Sequence, residues 1–385
     1  MILELHAIQS FPPANLNRDD TGAPKDCVFG TVRRARVSSQ SFKRAMRLRF
    51  RETGQYVGLR TKRLAEQLAV RIEASSDSDD EHARELAKAL LAAEPLELTI
   101  EEDGDTAQLL FLRPRELDAL AALALEHADQ LREAAAVNNG GSSAAGKKPK
   151  TKLPKATQSQ VEAVLQAGGS GLDVALFGRM IAEMPEGNVD AACHVAHAIG
   201  THRLAAEFDY YTAVDDLAPD DNLGAEMIGT VQYNATCFYR YARLDTQQLA
   251  QNLGLTANDP EIGAAAVALS EAFATAMPSG KQASFAAYSP PSLILLVARE
   301  QGAWNLANAF LNPVRPEDGL DLAAASAQRL HRHFKQLATV YSRPQERLRA
   351  CVLAVEAQPD DLAASHQSAS TLEELLAFAR TETAG

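Results

Sequence analysis

The sequence is poor in cysteine, aromatic side chains and long apolar runs. Its 385 residues include four cysteines, one tryptophan and 6% aromatic residues, and no two cysteines form a CxxC pair. This spacing argues against a disulfide framework and against a zinc site. The longest strongly apolar run, 293–298, is much shorter than the roughly 20 residues that span a bilayer. The chain does not open with a basic segment followed by an apolar stretch, so we expect no signal peptide. We therefore expect the protein to reside in the reducing cytoplasm.

The sequence also lacks the signatures of several large enzyme classes. It contains no G-x-x-x-x-G-K-[ST] loop, no G-x-G-x-x-G after a strand and no G-x-S-x-G. ATPases, dinucleotide enzymes and α/β-hydrolases are therefore disfavoured. The segment 277–282 is too short for a P-loop, although its Lys281 is a candidate phosphate contact. The 46% hydrophobic and 23% charged residues are typical of a globular chain, and the length of 385 residues suggests two domains or one elaborated domain.

Charge is distributed unevenly along the chain. The net charge of −12, taken alone, argues against a polyanionic partner. However, residues 1–70 hold 13 basic and 6 acidic side chains, a balance of +7, which leaves 25 basic and 44 acidic side chains, a balance of −19, for residues 71–385. The first 70 residues therefore form a candidate region for binding anions.

Apolar periodicity predicts a mixed α+β fold. Alternation over 2–8 predicts a buried strand, and turn formers over 15–36 predict a long loop. Ser38 and Ser39 are expected to cap a helix with an apolar face of Phe42, Ala45, Met46 and Phe50. Further helices are expected at 60–74, 81–93, 115–137, 158–167, 188–203, 259–277, 320–341, 344–357 and 371–382. Strands are expected at 96–101, 107–112, 172–177, 208–212 and 226–243, with a hairpin at 284–297.

The segment 138–159 differs in composition from its surroundings. Small polar residues are followed by five lysines without an acidic residue, which indicates a linker or loop. It is either a solvated insertion or a basic arm that touches nucleic acid. The sequence alone leaves both interpretations open.

The strongest local signal is a run of cations between residues 33 and 51. This run contains no acidic residue and holds Arg33, Arg34, Arg36, Lys43, Arg44, Arg47, Arg49 and Arg51. Helical spacing places Lys43, Arg47 and Arg51 on one face, where like charges repel unless an outside partner neutralises them. That partner is either an acidic surface or a phosphate backbone, and Ser38 and Gln40 add donors at the helix start.

Two groups of residues suggest metal chemistry instead. Asp19, Asp20 and Asp26 could hold a cation for nuclease chemistry, but Asx turns and ion pairs explain them equally well. His194 and His197 would share a face of the expected helix 188–203, with Asp215 and Asp216 following. His202 is rotated from His194 by about 80° at 100° per residue, and no general base accompanies the histidines. Structural histidines are therefore the favoured interpretation.

Three apolar side chains are candidates for contact with nucleobases. Tyr210 and Tyr211 alternate across the expected strand 208–212, so one is expected in the core and the other toward solvent or a ligand. Met180, beside Arg179, is a candidate apolar wedge or an ordinary core residue.

Several blocks, in chain order, resemble the CasC-type backbone subunit of type I-E CRISPR Cascade, a member of the RAMP superfamily. The first comprises Asn15-Leu16-Asn17-Arg18-Asp19-Asp20, Lys25-Asp26, Phe29-Gly30 and the run from Arg33 to Arg47 that includes Val37-Ser38-Ser39-Gln40-Ser41-Phe42. Later blocks are Gly178-Arg179-Met180, Ala196-His197-Ala198-Ile199, Tyr211-Thr212-Ala213-Val214-Asp215-Asp216, Phe238-Tyr239-Arg240-Tyr241 and Lys281-Gln282 with Phe285-Ala286-Ala287-Tyr288. The similarity decays over 60–170 and after about residue 310.

The resemblance implies a subunit shaped like a hand. A ferredoxin-like palm of the RNA-recognition type would comprise 1–59, 171–200 and 233–385, the last with C-terminal helices. Residues 60–170 would form inserted helical fingers, and 201–232 a thumb hairpin. Copies would polymerise along the guide spacer, and each thumb would kink the RNA on its neighbour.

The resemblance also implies site residues and partners. Phosphate and ribose contacts would come from Arg18, Lys25, Ser38, Gln40, Lys43, Arg44 and Arg47, joined by the nearby cations Arg34, Arg36, Arg179 and Lys281. The kinked nucleotide would be contacted by Tyr211, Thr212, Val214 and Met180. Expected partners are the guide RNA, the target DNA strand through the guide, further copies of the chain and CasA, CasB, CasD and CasE types, with no membrane.

The expected role is binding without catalysis and without a cofactor or metal. A metal-dependent RAMP-type endoribonuclease that uses the aspartates or the His194 cluster is the alternative. A third interpretation is a scaffold whose basic helix docks on acidic proteins.

Overall fold

A computed structural model describes residues 1–55, 57–76, 79–133, 153–167, 171–181, 184–213, 227–315, 321–342, 346–355 and 366–383. The chain divides into two compact units. The sheet unit comprises Met1–Thr53, Cys193–Thr246 and Ala257–Gly385, and the helical unit comprises Gly54–Ala192 and Gln247–Thr256. No helix in the described ranges has the length and apolar character needed to cross a membrane.

A ten-stranded sheet organises the sheet unit. Its main path runs β12-β11-β10-β1-β9-β7-β3-β2, and β6 and β8 also pair with β9. The strands are β1 (Ile2–Ala14), β2 (Asp26–Phe29), β3 (Val32–Val37), β6 (Cys193–Val195), β7 (Ala198–Gly200), β8 (Glu207–Ala213), β9 (Met227–Asp245), β10 (Leu293–Arg299), β11 (Leu348–Ala354) and β12 (Gln367–Ala369). Residues 2–9 of β1 are all buried because β1 lies between two strands and has both faces covered.

Four strands at the centre have a recurrent connectivity. In the order β10-β1-β9-β7, β1 pairs antiparallel with both β9 and β10, and β7 pairs antiparallel with β9. Helix α1 (Ser39–Glu52) follows β1 along the chain, and the helix Pro260–Thr275 connects β9 to β10. These two helices pack together, so two β-α-β crossovers interlock in one sheet.

The helices of the sheet unit enclose two cores. Phe42, Ala45, Met46 and Phe50 of α1 are buried, as the periodicity predicts. A second core joins β1, β9, β10 and β11 to the helix Leu322–Tyr341 through Ile8, Tyr239, Val297, Phe310, Leu330 and Phe334. The helix Leu372–Thr383 is the last element of the sheet unit and packs against the helix Pro260–Thr275.

The helical unit has its own hydrophobic core. Its helices are α2 (Leu64–Ala74), α3 (Asp80–Ala92), α4 (Pro114–Glu126), α5 (Lys155–Gln166) and α6 (Leu172–Phe177). A two-stranded sheet pairs β4 (Leu59–Thr61) with β5 (Leu110–Leu112). The apolar faces meet through leucines at 64, 68, 86, 90, 117 and 120.

The remaining helices belong mainly to the sheet unit and are numbered in chain order. They are α7 (Thr246–Leu253), α8 (Pro260–Thr275), α9 (Gln282–Phe285), α10 (Leu322–Tyr341) and α11 (Leu372–Thr383). The predicted helices at 259–277, 320–341 and 371–382 and the strands at 2–8, 208–212 and 226–243 are confirmed.

Several predicted elements are wrong. Residues 172–177 form α6 rather than a strand, because a short, fully buried apolar run fits either structure. The predicted helices 188–203 and 344–357 contain β6, β7 and β11 instead, where pairing with neighbouring strands overrides helix propensity. The segment 284–297 is α9 and a single strand rather than a hairpin.

The other differences concern boundaries and loops. The loop predicted over 15–36 contains β2 and β3, which pair as a hairpin across Gly30. Within 96–101 and 107–112, pairing is limited to β5 and an isolated bridge between Ile100 and Thr106. Helix α4 ends at Glu126, and after one turn residue the chain is helical again over 128–133, so the predicted helix 115–137 is interrupted at His127. Helix α5 begins at Lys155, inside the predicted linker 138–159. Residues 138–152 of that linker lie outside the described ranges.

Candidate nucleic-acid interface

Hydrogen bonds join the first loop to the start of α1. The Ser38 amide donates to Oδ1 of Asn17 at 2.9 Å, and the Lys25 amide donates to the Asn17 carbonyl at 2.8 Å. The Arg36 amide donates to the Lys25 carbonyl at 2.9 Å. Asn17 therefore brings Lys25 and Arg36 together beside the helix start, next to the exposed Arg18.

Helix α1 continues this charged region. Gln40 and Arg44 are exposed, and Lys43 and Arg47 are half-buried on the flanks of the apolar face. The first turn contains no acidic residue, and Ser38 occupies the N-cap position without a side-chain cap hydrogen bond. We use the name cationic surface for the set Arg18, Lys25, Arg36, Lys43, Arg44 and Arg47 with Gln40.

Lys281 approaches the same loop. A Cβ at Gly280 would lie 2.2 Å from the carbonyl oxygen of Leu16 and 2.9 Å from that of Asn15. Only glycine allows this close approach, and Lys281 follows it in a left-handed conformation with φ of 52°. The backbone of Lys281 is thereby placed beside the loop that carries Arg18 and Lys25.

A histidine that the sequence assigned to a helix belongs to this region. His197 lies in the turn between β6 and β7, and its Nδ1 is 3.2 Å from Nη1 of Arg36. Partial burial and the positive charges of Arg36 and Lys25 lower the pKa of His197. Sequence analysis missed this proximity because it placed His197 on a helix face instead of between two strands.

Arg34 does not belong to the cationic surface. Its side chain is 0% exposed, and its guanidinium donates to the carbonyls of Gly200, Thr201, Phe310 and Leu311 at 2.8 to 3.3 Å. The prediction that Arg34 binds RNA is therefore wrong for this conformation. Its role is to join β3 to two chain segments inside the sheet unit.

Arg179 has a comparable role in the helical unit. Its Nη1 lies 2.8 Å from both carboxylate oxygens of Glu116, and Nε and Nη2 donate to the carbonyls of Gly187 and Leu165. Arg113 binds the same carboxylate, and all three charged side chains are buried. The prediction that Arg179 contacts RNA is wrong for this conformation, whereas its neighbour Met180 is 82% exposed.

The aspartates of the first loop have structural partners. Oδ1 of Asp19 accepts hydrogen bonds from the Thr21 amide, the Thr21 hydroxyl and the Ala23 amide. The Thr21 hydroxyl contributes most to lowering the pKa of Asp19. Asp26 pairs with Arg33 at 2.6 Å. These contacts fit the turn interpretation, and no group of three or more potential metal ligands occurs in the described ranges.

The His194 cluster is not a helix face. His194 lies exposed on β6, while His202 accepts a hydrogen bond from the Cys237 amide through Nε2. Nδ1 of His202 is 2.9 Å from the Arg203 carbonyl oxygen, so both ring nitrogens contact the backbone and His202 has a structural role. Asp215 and Asp216 lie outside the described residues.

Strands β8 and β9 form a hairpin with exposed aromatic side chains. Tyr210 is 62% exposed and Tyr211 43%, so the expectation that one of them packs in the core is wrong. A Cβ at Gly229 would lie 2.3 Å from the Tyr211 ring, which shows that this ring lies across the opposite strand. Thr212 is exposed next to it, and Val214 lies outside the described residues.

Comparison with known proteins identifies the class. The chain belongs to the CT1975-like protein family of CRISPR-associated proteins, whose model matches residues 3–377. This result and the structural matches confirm the resemblance to a CRISPR-associated backbone subunit.

Two solved structures are similar over almost the whole chain. A chain of a "CRISPR RNA-guided surveillance complex, pre-nicking" shares 32% identity with a TM-score of 0.83, covering 98% of this chain and all of that one. A chain of a "CRISPR RNA-guided surveillance complex" shares 28% identity with a TM-score of 0.71 and the same coverage. No curated protein matches.

Proposed function

We propose that this chain is the CRISPR RNA-binding backbone subunit of a type I-E Cascade surveillance complex. The observation that carries the proposal is the cationic surface, in which the first loop, β3 and α1 present cations side by side in a chain of net charge −12. The similar structures come from complexes described as RNA-guided, which supports a guide RNA as the anion.

The proposed mechanism is binding in which no bond is broken. Arg18, Lys25, Arg36, Lys43, Arg44 and Arg47 contact phosphates, Gln40 and Ser38 contact ribose or phosphate, and Lys281 adds a cation beside the loop. Contacts to phosphate and sugar carry no sequence information, which suits a subunit that must accept any spacer. Base pairing between the guide and the target strand supplies specificity.

In this proposal the sheet unit is a ferredoxin-like palm and the helical unit is the fingers. The strand order β10-β1-β9-β7 with α1 and α8 as crossovers supports the palm. The β8–β9 hairpin is the thumb, and its exposed Tyr211 and Thr212 contact a displaced nucleotide. Met180, 82% exposed in the helical unit, is the proposed apolar wedge. Exposed aromatic rings in strands commonly stack on unpaired bases.

The proposed partners extend to the whole complex. Copies of the chain polymerise along the spacer in the cytoplasm, kink it periodically and present it to the target DNA strand. CasA, CasB, CasD and CasE types complete the assembly. The chain itself is non-catalytic in this proposal.

The decisive test replaces Lys43, Arg44 and Arg47 together with Ala. The variant is expected to bind three guides of unrelated spacer sequence about tenfold or more weakly, by the same factor for each, because phosphate contacts are lost. The control replaces the exposed Lys88, Arg115 and Arg380 with Ala and is expected to bind like wild type. A loss that differs strongly between spacers would contradict the proposal.

A second assay separates binding from cleavage. Purified protein is incubated with labelled guide RNA and Mg²⁺ or Zn²⁺, and intact RNA is expected. Cleavage that Asp20→Ala abolishes would establish the endoribonuclease alternative. Failure to retain any RNA during purification would favour the protein-binding scaffold.

A further inference from the structure

A second cationic region lies far along the chain from the first. Helix α10 contains the cations Arg329, Arg332 and Lys335 and the histidines at 331 and 333. None of its 20 residues is acidic. Residues 71–385 carry a balance of −19, so this helix is an exception in an acidic region. Arg332 and Lys335 are exposed, and no described carboxylate forms an ion pair with either of them.

A groove runs along one face of α10. The side chains that line the groove follow the spacing of a single helix face over three turns: Gln328, His331, Arg332, Lys335, Gln336, Thr339 and Val340. The groove has a volume of about 610 Å³. Among the described residues, two cations, two amides and an exposed valine line the groove and suit a partner that combines carboxylates with apolar side chains.

Beyond the exposed Arg203, the β8–β9 hairpin has the complementary composition. Sequence positions 207–233 contain seven acidic residues and no Lys, Arg or His. In the described part, Glu207 and Asp209 are exposed on β8, and Phe208 is 66% exposed between them. A hydrogen bond of 3.3 Å from the Tyr233 hydroxyl orients the Glu207 carboxylate.

The spacing of the charges also matches. Glu207 and Asp209 are two residues apart on a strand and therefore about 7 Å apart on one face. Arg332 and Lys335 are three residues apart on a helix, where neighbours on one face are separated by about 5–6 Å. Both side chains of each pair can therefore be engaged at once.

We propose that the groove on α10 receives the acidic base of the thumb, Glu207 and Asp209, from a second copy of this chain. The two surfaces are different patches of one molecule, so the contact is heterologous and repeats from copy to copy without closing, as a filament requires. A phosphate backbone is the less favoured occupant because the groove also presents an apolar side chain. The inference rests on the proposed function and specifies a contact through which copies associate.

The test uses charge reversal on the full-length chain. One variant is Arg332→Glu with Lys335→Glu, a second is Glu207→Lys with Asp209→Lys, and a third combines all four changes. The control is Lys88→Glu with Arg115→Glu, which reverses two exposed cations of the helical unit. Binding is measured on a short RNA that accommodates one copy and on a long RNA that accommodates several, and native mass spectrometry counts the copies.

The ratio of the two binding midpoints measures cooperativity between copies. Each single-surface variant is expected to reduce it about tenfold, and the combined variant is expected to recover to within about threefold of wild type, because reversed pairs attract again. The control is expected to stay within about twofold of wild type. Unchanged cooperativity in the α10 variant, or no recovery in the combined variant, would overturn the proposal.

The short RNA separates this inference from the proposed function. If the α10 variant loses affinity for the short RNA, the groove binds nucleic acid and the proposed occupant is wrong. If wild type itself fails to bind the short RNA, the proposed function is wrong. In that case sedimentation of the same variants without RNA decides the inference, since it predicts self-association that reversal weakens and combined reversal restores.

Discussion

The cationic surface of the sheet unit and the buried arginine cluster of the helical unit use the same residue type for opposite purposes. Around α1, cations lie side by side near the surface, and the first turn contains no acidic residue. In the helical unit, Arg113 and Arg179 enclose the Glu116 carboxylate and donate to backbone carbonyls. The two arginines of the helical unit are buried with their acceptors, whereas Arg44 of α1 is exposed to solvent and Arg36 and Arg47 are half-buried.

The largest expected effect is on the buried cluster. Glu116→Gln removes the carboxylate that both guanidiniums share, and leaves buried positive charge uncompensated. We expect a loss of about 3–5 kcal/mol in the free energy of unfolding of the helical unit, measured by denaturant titration. Arg115→Ala, an exposed change on the same helix, is expected to stay within about 0.5 kcal/mol. Equal stabilities for the two variants would contradict the structural role.

Arg34 and Arg36 offer the same comparison within one strand. Arg34→Met deprives four carbonyl oxygens of their donors, so we expect a loss of about 2 kcal/mol or more in the free energy of unfolding. Its affinity for a short RNA, measured well below the unfolding transition, is expected to stay near wild type. A selective loss of RNA affinity with normal stability would show that Arg34 contacts RNA.

Arg36→Ala is expected to give the reverse pattern. Arg36 is half-buried and donates to the Asp26 carbonyl through Nε at 3.2 Å, so its removal affects stability by about 1 kcal/mol or less. Affinity for a short RNA is expected to fall about three- to tenfold as a phosphate contact is lost. Fluorescence anisotropy at fixed salt measures the change, and unchanged affinity would remove Arg36 from the cationic surface.

His197 gives the smallest expected effect. Partial burial and the charges of Arg36 and Lys25 lower its pKa in the free protein, and a bound phosphate would raise it again. Binding therefore takes up a proton, so affinity is expected to increase about two- to threefold as pH falls from the ordinary histidine pKa of about 6.5 through the lowered value. His197→Gln is expected to abolish this increase. A pH profile identical in both proteins would show that His197 does not sense the RNA.

Protonation of His197 has the opposite effect on folding. The lowered pKa means that the folded state binds this proton less readily than the unfolded chain does. The contribution of His197 to stability is therefore lost as pH falls below the ordinary histidine pKa toward the lowered value. Over the same pH range, the affinity for RNA is thus expected to rise while the free energy of unfolding falls. Nonspecific acid destabilisation would lower both.

The sequence predicted the elements in which local pattern and tertiary environment agree. The alternation of β1 and the apolar face of α1 were sufficient because each element buries the residues its own period selects. It failed at α6, where a short apolar run fits either structure, and at β11, where pairing with β10 overrides helix propensity. It could not separate Arg34 from Arg36 because the acceptors of Arg34 lie more than 160 residues away.

The same limit explains what was missed at the site. His197 approaches Arg36 only because β7 pairs with β3 and β9, a long-range arrangement without a local signal. The cations of α10 were visible in the sequence as an acid-free helix, and their groove became apparent only with the fold.

The salt dependence of guide binding tests the central claim most directly. For single-stranded RNA the logarithm of the binding constant falls with the logarithm of salt concentration by about 0.7 per phosphate contact. Replacing Lys43, Arg44 and Arg47 with Ala is therefore expected to flatten the slope by about 2, while the Lys88, Arg115 and Arg380 control keeps the wild-type slope. A triple variant with the wild-type slope would contradict the account that this surface holds the guide backbone.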